Sequence, residues 1–294
     1  MGAHVEEKEN TVHITTGPEG LHGARIFFDL VSVGATINVL LAAVKAKGLT
    51  IMENVAREPE IVDLATFLNN MGAHIRGAGT NEIRVQGVDS LKSMNVHTII
   101  PDRIEAGTYL SFAAANGNGV LVKNVITEHL DPFLSKLEEM GVRMEIDEDE
   151  IYVPGGDVLS PENIKTYPFP GFATDLQQPI TPLLMQARGS STIIDTLYPE
   201  RTKHIPEMQR MGAKISSKDG IITVGHSTDL SGTVVEAGEI RAGVSLVGLA
   251  LMAKGTTVIN KADNILRGYD RIVEKFRGLS VDLEVINESE SLNH

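Results

Sequence analysis

Two rhythms of apolar residues alternate along this chain. EIVDLATFLNN (60–70), EHLDPFLSKLEE (128–139), TKHIPEMQR (202–210) and GYDRIVEKFRG (268–278) place apolar side chains at helical spacing. Each leads into a short turn and then a run that alternates every second residue: MGAHIRG, MGVRMEI, MGAKISS and LSVDLEVI. The pattern predicts surface helix, C-cap turn and strand, four times over. The turn itself recurs: Met1-Gly2-Ala3, Met71-Gly72-Ala73, Met140-Gly141-Val142, Met211-Gly212-Ala213 and a degraded Leu279-Ser280-Val281, at steps of 70, 69, 71 and 68 residues. A repeat of this length is a structural unit.

The other half of each unit carries an Ala/Leu-rich stretch with no polar face, LLAAVKAKG, SFAAANG, TPLLMQARG and GLALMAKG, ending at Gly48, Gly117, Gly189 and Gly255. NGNG at 116–119 leaves the second register ambiguous. A β-branched strand such as TTVIN follows, so each unit reads as strand, loop, buried helix, strand, surface helix, strand, strand. Counting back 14 residues from each glycine reaches the start of the buried helix, at Gly34, Arg103, Asp175 and Arg241 in SVGAT, DRIEAGT, ATDLQQ and EIRAG. Helix N-termini expose unpaired N–H groups and a partial positive charge that suit anions. Four unrelated caps, or several such ends aimed at one cleft, both fit this register. Met1 falls where later units have finished their surface helix, and no final strand follows LEVI, where ESESLNH reads as a polar tail. The expectation is a chain that begins in mid-repeat and belongs to a larger protein.

Length and charge narrow the function classes. The 294 residues suffice for one large or two medium domains, and two is the better fit to the repeat. A net charge of −13, with no basic cluster interleaved with aromatics, argues against nucleic acid. No window reaches the ~18 consecutive apolar residues of a membrane span, and MGAHVEEKEN lacks the apolar core of a signal peptide, so the chain reads as cytoplasmic. There are no cysteines, which excludes disulfides, thiolate metal sites and cysteine nucleophiles within these residues. Nine histidines are scattered without metal-ligand spacing. RGAGTNE (76–82) is incomplete as a phosphate loop and reads as a hairpin turn, and the acidic EIDEDE (145–150) reads as a solvated turn.

The arginines are more informative. Arg201 in YPERTKH and Arg241 in EIRAG each open a helix, and Arg267 in ILRGYD opens the last surface helix. A guanidinium there faces the positive end of the macrodipole, so an anion is needed to relieve it. Surface salt bridges would serve; so would a bidentate clamp for phosphate and carboxylate. Asp175 is the complement. It is either a plain N-cap, worth about 1 kcal/mol, or an ionised carboxylate among arginines that takes a proton from a substrate hydroxyl.

Seven motifs, SVGAT (32–36), ENVAREPEIVDL (53–64), MGAHIRGAGT (71–80), PDRIEAGT (101–108), PFPGFATDLQ (168–177), EIRAGV (239–244) and ILRGYD (265–270), together resemble the UDP-N-acetylglucosamine 1-carboxyvinyltransferases of peptidoglycan synthesis. The match runs in order over nearly the whole chain. The related 5-enolpyruvylshikimate 3-phosphate synthases share the fold but not the SVGAT and ENVAREPEI wording. The resemblance implies an α/β fold, an inside-out barrel of three β/α units per domain, with helices inside and strands outside. It implies transfer of the enolpyruvyl group of phosphoenolpyruvate to the 3′-hydroxyl of UDP-N-acetylglucosamine by addition and elimination, with release of phosphate and no cofactor. By the repeat count, residues 1–99 would be the remaining part of an incomplete first domain, and 100–294 the second domain without its N-terminal strand.

Carried over by motif, Asp175 would contact the sugar hydroxyl as base. Val31, Ser32, Val33 and Gly34 would bind the nucleotide, with Leu197 helping through its main chain. Arg201, Arg241 and Arg267 would hold the phosphate and carboxylate of the donor, Arg267 also as a catalytic group, stabilising the charged tetrahedral intermediate. The chain departs from the pattern at Leu30, Glu239 and Leu266, where relatives often have Lys, Asp, and Asp or Glu. These bear on nucleotide affinity and fine positioning more than on reaction class. The family's mobile-loop cysteine, sometimes aspartate, its early Lys-Asn pair and further arginines belong to a segment preceding Met1. The expectation is that the 294 residues alone are inactive. The alternative reading is a non-catalytic sugar-nucleotide-binding or regulatory protein of the same fold.

Overall fold

The computed structural model of the protein describes residues 1–93 and 96–286, so the polar run 288–294 lies outside the described residues. Backbone contacts divide the chain into two compact units. One comprises Met1–Pro101 with Pro168–Pro170, the other Asp102–Tyr167 with Gly171–His294.

The first unit opens on an antiparallel hairpin, β1 (Ala3–Lys8) and β2 (Thr11–Thr16). It continues with β3 (Arg25–Phe27), α1 (Val33–Val44), β4 (Leu49–Glu53), α2 (Pro59–Asn70), β5 (His74–Arg76) and β6 (Glu82–Gln86). Because α1 crosses over between them, β3 and β4 run parallel; β6 joins β4 antiparallel and β5 lies outside it, giving the order β3-β4-β6-β5. Alternation along β4 and β6 turns Met52, Ile83 and Val85 inward, onto a core shared with Leu40 and Val44 of α1 and Ile61 of α2. RGAGTNE is the predicted turn between β5 and β6, with Gly77 and Gly79 at φ 87° and 86°.

The second unit begins with α3 (Arg103–Asn116), β7 (Val120–Lys123), α4 (Asp131–Glu139), β8 (Glu145–Ile146) and β9 (Glu150–Val153). The acidic run spans the exposed turn between β8 and β9. Next come β10 (Ile164–Lys165), a 3-10 turn at Thr174–Leu176, α5 (Gln177–Gln186), β11 (Ser190–Ile194), α6 (His204–Arg210), β12 (Ile215–Lys218) and β13 (Ile221–Gly225). The unit ends with β14 (Val234–Glu236), α7 (Ile240–Ala250), β15 (Val258–Asn260), α8 (Asp263–Leu266) and α9 (Ile272–Gly278). The order β10-β11-β13-β12 reproduces β3-β4-β6-β5, strand direction included. The sheet β7-β9-β8 has no parallel strand beside β7 among the described residues, and β14-β15 is a parallel pair.

Helices occupy the inside of this unit. Gln177 through Met185 of α5 are all buried, and α5 packs between α3 and α7. Such helices turn no face to solvent, and the polar side chains they do carry, such as Gln177, Gln178 and Thr181 of α5, are buried with the apolar ones. Small residues permit the close approach: a methyl group on Gly248 of α7 would lie 2.2 Å from the Phe112 ring of α3, and one on Gly107 would lie 2.8 Å from Leu176.

The Met-Gly turn is a repeated joint. Gly72, Gly141 and Gly212 adopt φ of 100°, 90° and 92°, where a side chain is strained, and Ser280 keeps that left-handed conformation at 63° in the degraded copy. The carbonyls of Met1, Met71, Met140 and Met211 each accept a bond from a residue about 20 positions further along the chain, from the N–H of His22, Lys92, Ser160 and Ser231 at 2.7–3.0 Å. Two expectations need correction. The alternating run 281–286 forms no strand; its sisters β5 and β12 hydrogen-bond to the strand that follows them, and no such partner follows among the described residues. Gly117 caps its helix directly at φ 69°, settling the NGNG register, whereas α1, α5 and α7 stop at Val44, Gln186 and Ala250, before their glycines.

Candidate active site

Asp175 sits in the 3-10 turn that opens α5, and its side chain makes no capping bond. Both carboxylate oxygens go to arginines instead. Arg201 Nη1 donates to Oδ1 at 2.7 Å, and Arg241 donates to Oδ2 through Nη2 at 3.1 Å and Nε at 3.3 Å. The plain N-cap reading is therefore excluded for this side chain. Arg241 is the second residue of α7, the unfavourable end of the dipole, so the carboxylate relieves the charge there. Arg201 does not open its helix as the sequence suggested. It lies in the loop between β11 and α6, two residues before the cap Lys203.

A second layer fixes both guanidiniums. Arg201 Nη1 also donates to Thr174 Oγ1 at 3.1 Å, and that hydroxyl donates to Asp195 Oδ2 at 2.5 Å. Asp195 is buried at the end of β11, where its Oδ1 accepts from Thr166 Oγ1 and from the N–H groups of Leu197 and Tyr198 at 2.8–3.0 Å. Arg241 Nη1 donates to Tyr269 OH at 3.0 Å, and Tyr269 in turn meets Thr108 Oγ1 of α3 at 3.1 Å. The guanidiniums lie over the rings of Tyr198 and Tyr269, at 5.0 and 5.4 Å from the ring centres.

Burial pushes the Asp175 carboxyl up, but the Arg241 and Arg201 cations outweigh it and hold the group below the usual carboxylate range. Burial pulls the Arg241 guanidinium down, and Tyr269 and Asp175 more than restore it. His204, completely buried, is pulled down to about 3 by burial and by the Arg201 cation, and so stays neutral. This fixes the sign of a stability effect. The folded value lies below the ordinary 6.5, so the contribution is complete above pH 6.5 and is lost as pH falls toward about 3. Urea unfolding at about pH 7 and about pH 5 should show a loss of about 2 kcal/mol in the parent, one proton acting over about 1.5 pH units. His204→Asn should remove that difference; an unchanged loss would assign it elsewhere.

The other expected residues are placed as follows. Val31, Ser32, Val33 and Gly34 lie at the start of α1 in the first unit, where Ser32 caps the helix by accepting from Ala35 N–H at 3.2 Å. Gly34 is exposed, with no atom within 4 Å of the place a methyl group would take. The Leu197 N–H is engaged by Asp195, at 3.0 Å. Arg267 corrects the sequence reading: it closes α8 as its C-cap, where a cation is favoured, rather than opening α9, and its exposed side chain makes no hydrogen bond or ion pair among the described residues. Arg103 is the first residue of α3, behind the Asp102 cap. The structure thus unites Asp175, Arg201 and Arg241, and no hydrogen bond or ion pair joins Arg267 to them among the described residues. Sequence reasoning missed Asp195, Thr174, Tyr269, Gln178 and His204. Tyr269 stood inside the quoted ILRGYD, and Asp195 was the lone acid closing the apolar run STII. Among the described residues no cluster of His, Asp or Glu fits a metal ion, and no helix is long and apolar enough to cross a membrane.

The profile of the family described as EPSP synthase (3-phosphoshikimate 1-carboxyvinyltransferase) matches residues 1–276. UDP-N-acetylglucosamine 1-carboxyvinyltransferase 2 of Lactiplantibacillus plantarum is 60% identical over 290 residues, covering 99% of this chain and 68% of that protein. The enzyme of the same name from Latilactobacillus sakei is 57% identical over 288 residues, covering 98% and 68%. Among solved structures, the enolpyruvyl transferase NikO from Streptomyces tendae aligns with a TM-score of 0.86 at 24% identity, over 96% of this chain and 69% of that one. The last likeness shows the fold, an inside-out arrangement of helices within strands.

Proposed function

Since the chain belongs to the UDP-N-acetylglucosamine 1-carboxyvinyltransferases, within the wider EPSP synthase family, we propose that it serves the transfer of enolpyruvate from phosphoenolpyruvate to the 3′-hydroxyl of UDP-N-acetylglucosamine. The observation that carries the proposal is the Asp175 carboxylate gripped by Arg201 and Arg241 at 2.7 and 3.1 Å. Phosphoenolpyruvate carries a carboxylate and a phosphate, the anions for which a guanidinium fork is matched. On its arrival Arg201 and Arg241 turn to the donor, with Arg267 as the third cation. Freed of its ion pairs, Asp175 becomes a stronger base. It takes the proton of the 3′-hydroxyl as that oxygen bonds to the central carbon of the donor, while the electron pair of the double bond moves to the methylene carbon and takes up a proton there from the medium. Phosphate then leaves with loss of a proton from the same carbon, restoring the double bond. The arginines hold the negative charge of the intermediate in place throughout.

Val31, Ser32, Val33, Gly34 and the Leu197 main chain bind the sugar nucleotide in this proposal, which places the protein in the cytoplasm, with the two substrates as its partners. The 294 residues contain no cysteine, so a loop thiol is not among them. Titration calorimetry on the 294-residue chain should register UDP-N-acetylglucosamine and phosphoenolpyruvate, and not shikimate 3-phosphate. A phosphate-release assay with both substrates should stay at blank for this chain; release above blank overturns the expected inactivity. Binding of shikimate 3-phosphate in place of the sugar nucleotide overturns the substrate assignment. Uptake of the sugar nucleotide with no uptake of the donor would favour a non-catalytic binding protein.

A further inference from the structure

Three residues beyond Asp175, Gln178 is completely buried on α5, and its side-chain amide reaches two other elements at once. Its Nε2 lies 2.9 Å from Glu239 Oε1 and 3.1 Å from His204 Nδ1. An amide nitrogen carries two protons, so both contacts are donations. The reverse orientation would set the amide oxygen against the Glu239 carboxylate, acceptor against acceptor. His204 therefore accepts at Nδ1 and carries its proton on Nε2, as its neutral state permits. Both amide protons are spent, and a buried donor left without a partner costs about 1–3 kcal/mol.

The positions of the three residues give the arrangement its meaning. His204 comes three residues after Arg201, and Glu239 is the N-cap position of α7, two residues before Arg241. One amide thus ties together the starts of α5, α6 and α7, the segments that deliver Asp175, Arg201 and Arg241. Two guanidiniums sharing a carboxylate repel each other, so their separation has to be imposed by the scaffold. Thr174, Asp195 and Tyr269 brace each arginine individually. The Gln178 amide connects the segments of both arginines to that of Asp175.

We propose that Gln178 is a positioning residue: by donating one proton to His204 and the other to Glu239, it sets the spacing of Arg201 and Arg241 about Asp175 and hence about the donor anion. The spacing itself is independent of any substrate; only the donor part rests on the function proposed above. Gln178→Met keeps length and volume while removing both protons. His204→Asn offers an amide oxygen close to the Nδ1 position, and His204→Leu offers no acceptor. Two readouts apply to the 294-residue chain: the carbon-13 titration of the Asp175 carboxyl, identified by its loss in Asp175→Asn, and calorimetry with phosphoenolpyruvate.

Gln178→Met and His204→Leu should raise the Asp175 midpoint toward the ordinary carboxylate value and weaken phosphoenolpyruvate about tenfold, the effect of one buried hydrogen bond. His204→Asn should keep both near the parent. If Gln178→Met lowers the melting temperature while midpoint and affinity stay unchanged, the amide only fills space and the proposal falls. It falls equally if His204→Asn is as damaged as His204→Leu, a contrast that decides the matter even where Gln178→Met does not fold. A midpoint that shifts as expected in a chain that takes no phosphoenolpyruvate upholds the positioning role and overturns the functional reading.

Discussion

Gly87→Ala is expected to cost more than about 3 kcal/mol and to unfold the first unit at a urea concentration well below the parent's midpoint. An added methyl group at Gly87 would lie 1.6 Å from the carbonyl oxygen of Ala46 and 2.7 Å from its carbon, and both are backbone atoms that cannot swing aside. The contact is imposed by hydrogen bonds on either side. Gly87 N–H donates to the Gly48 carbonyl and Val88 N–H to the Val44 carbonyl, each at 2.9 Å. Relief therefore requires breaking both, at about 1 kcal/mol each, besides parting β6 from the end of α1. Gly17→Ala is the control, with nothing within 4 Å of the new atom, and should stay within about 0.5 kcal/mol of the parent. Equal midpoints for the two variants would contradict the close approach. The same crowding holds at Gly23 and Gly232, 2.2 and 2.3 Å from the carbonyl oxygens of Leu49 and Thr256, the residues directly after Gly48 and Gly255.

These glycines mark the line between what the sequence shows and what it withholds. Gly72, Gly141 and Gly212 are legible because each closes a helix, a local event with a fixed place in an amphipathic pattern. Gly23, Gly87 and Gly232 are not, because only the pairing of distant segments brings a backbone against them. The candidate site divides in the same way. Helix starts are local, so Gly34, Arg103, Asp175 and Arg241 fall at one register on counting alone. Arg267 was misplaced because the stretch 263–278 holds two helices, α8 and α9, and the break between them falls at Gly268–Arg271, inside and just after ILRGYD, rather than before the arginine. Asp175 and the arginines were legible as complementary charges, but their pairing depends on how α5 and α7 cross. Gln178 and His204 left no signal. A neutral amide beside a helix start reads as surface until the fold shows it completely buried and its nitrogen held by two other elements.

Asp175→Asn should bind phosphoenolpyruvate at least about tenfold more tightly than the parent chain, and Arg241→Ala about a hundredfold more weakly. The two guanidiniums are neutralised by a carboxylate of the protein itself, so an arriving anion has to displace Asp175 from three hydrogen bonds of 2.7–3.3 Å. Asparagine keeps the shape and one acceptor oxygen but removes the charge, leaving two cations, only 19% and 16% exposed, without a counter-ion. The same variant should lose about 1–2 kcal/mol of stability, a value discounted because the Asp175 side chain is 37% exposed and partly screened. Inorganic phosphate should return that loss as a raised melting temperature, since an anion that binds only the folded state stabilises it. Arg241→Ala removes one arm of the clamp and leaves Asp175 still held by Arg201, so donor affinity falls with no gain to offset it. Opposite signs in the two variants mean that base and donor compete for the same cations, and that donor binding is what frees the base. If both variants weaken the donor alike, Asp175 is part of the anion site's frame and the exchange does not occur.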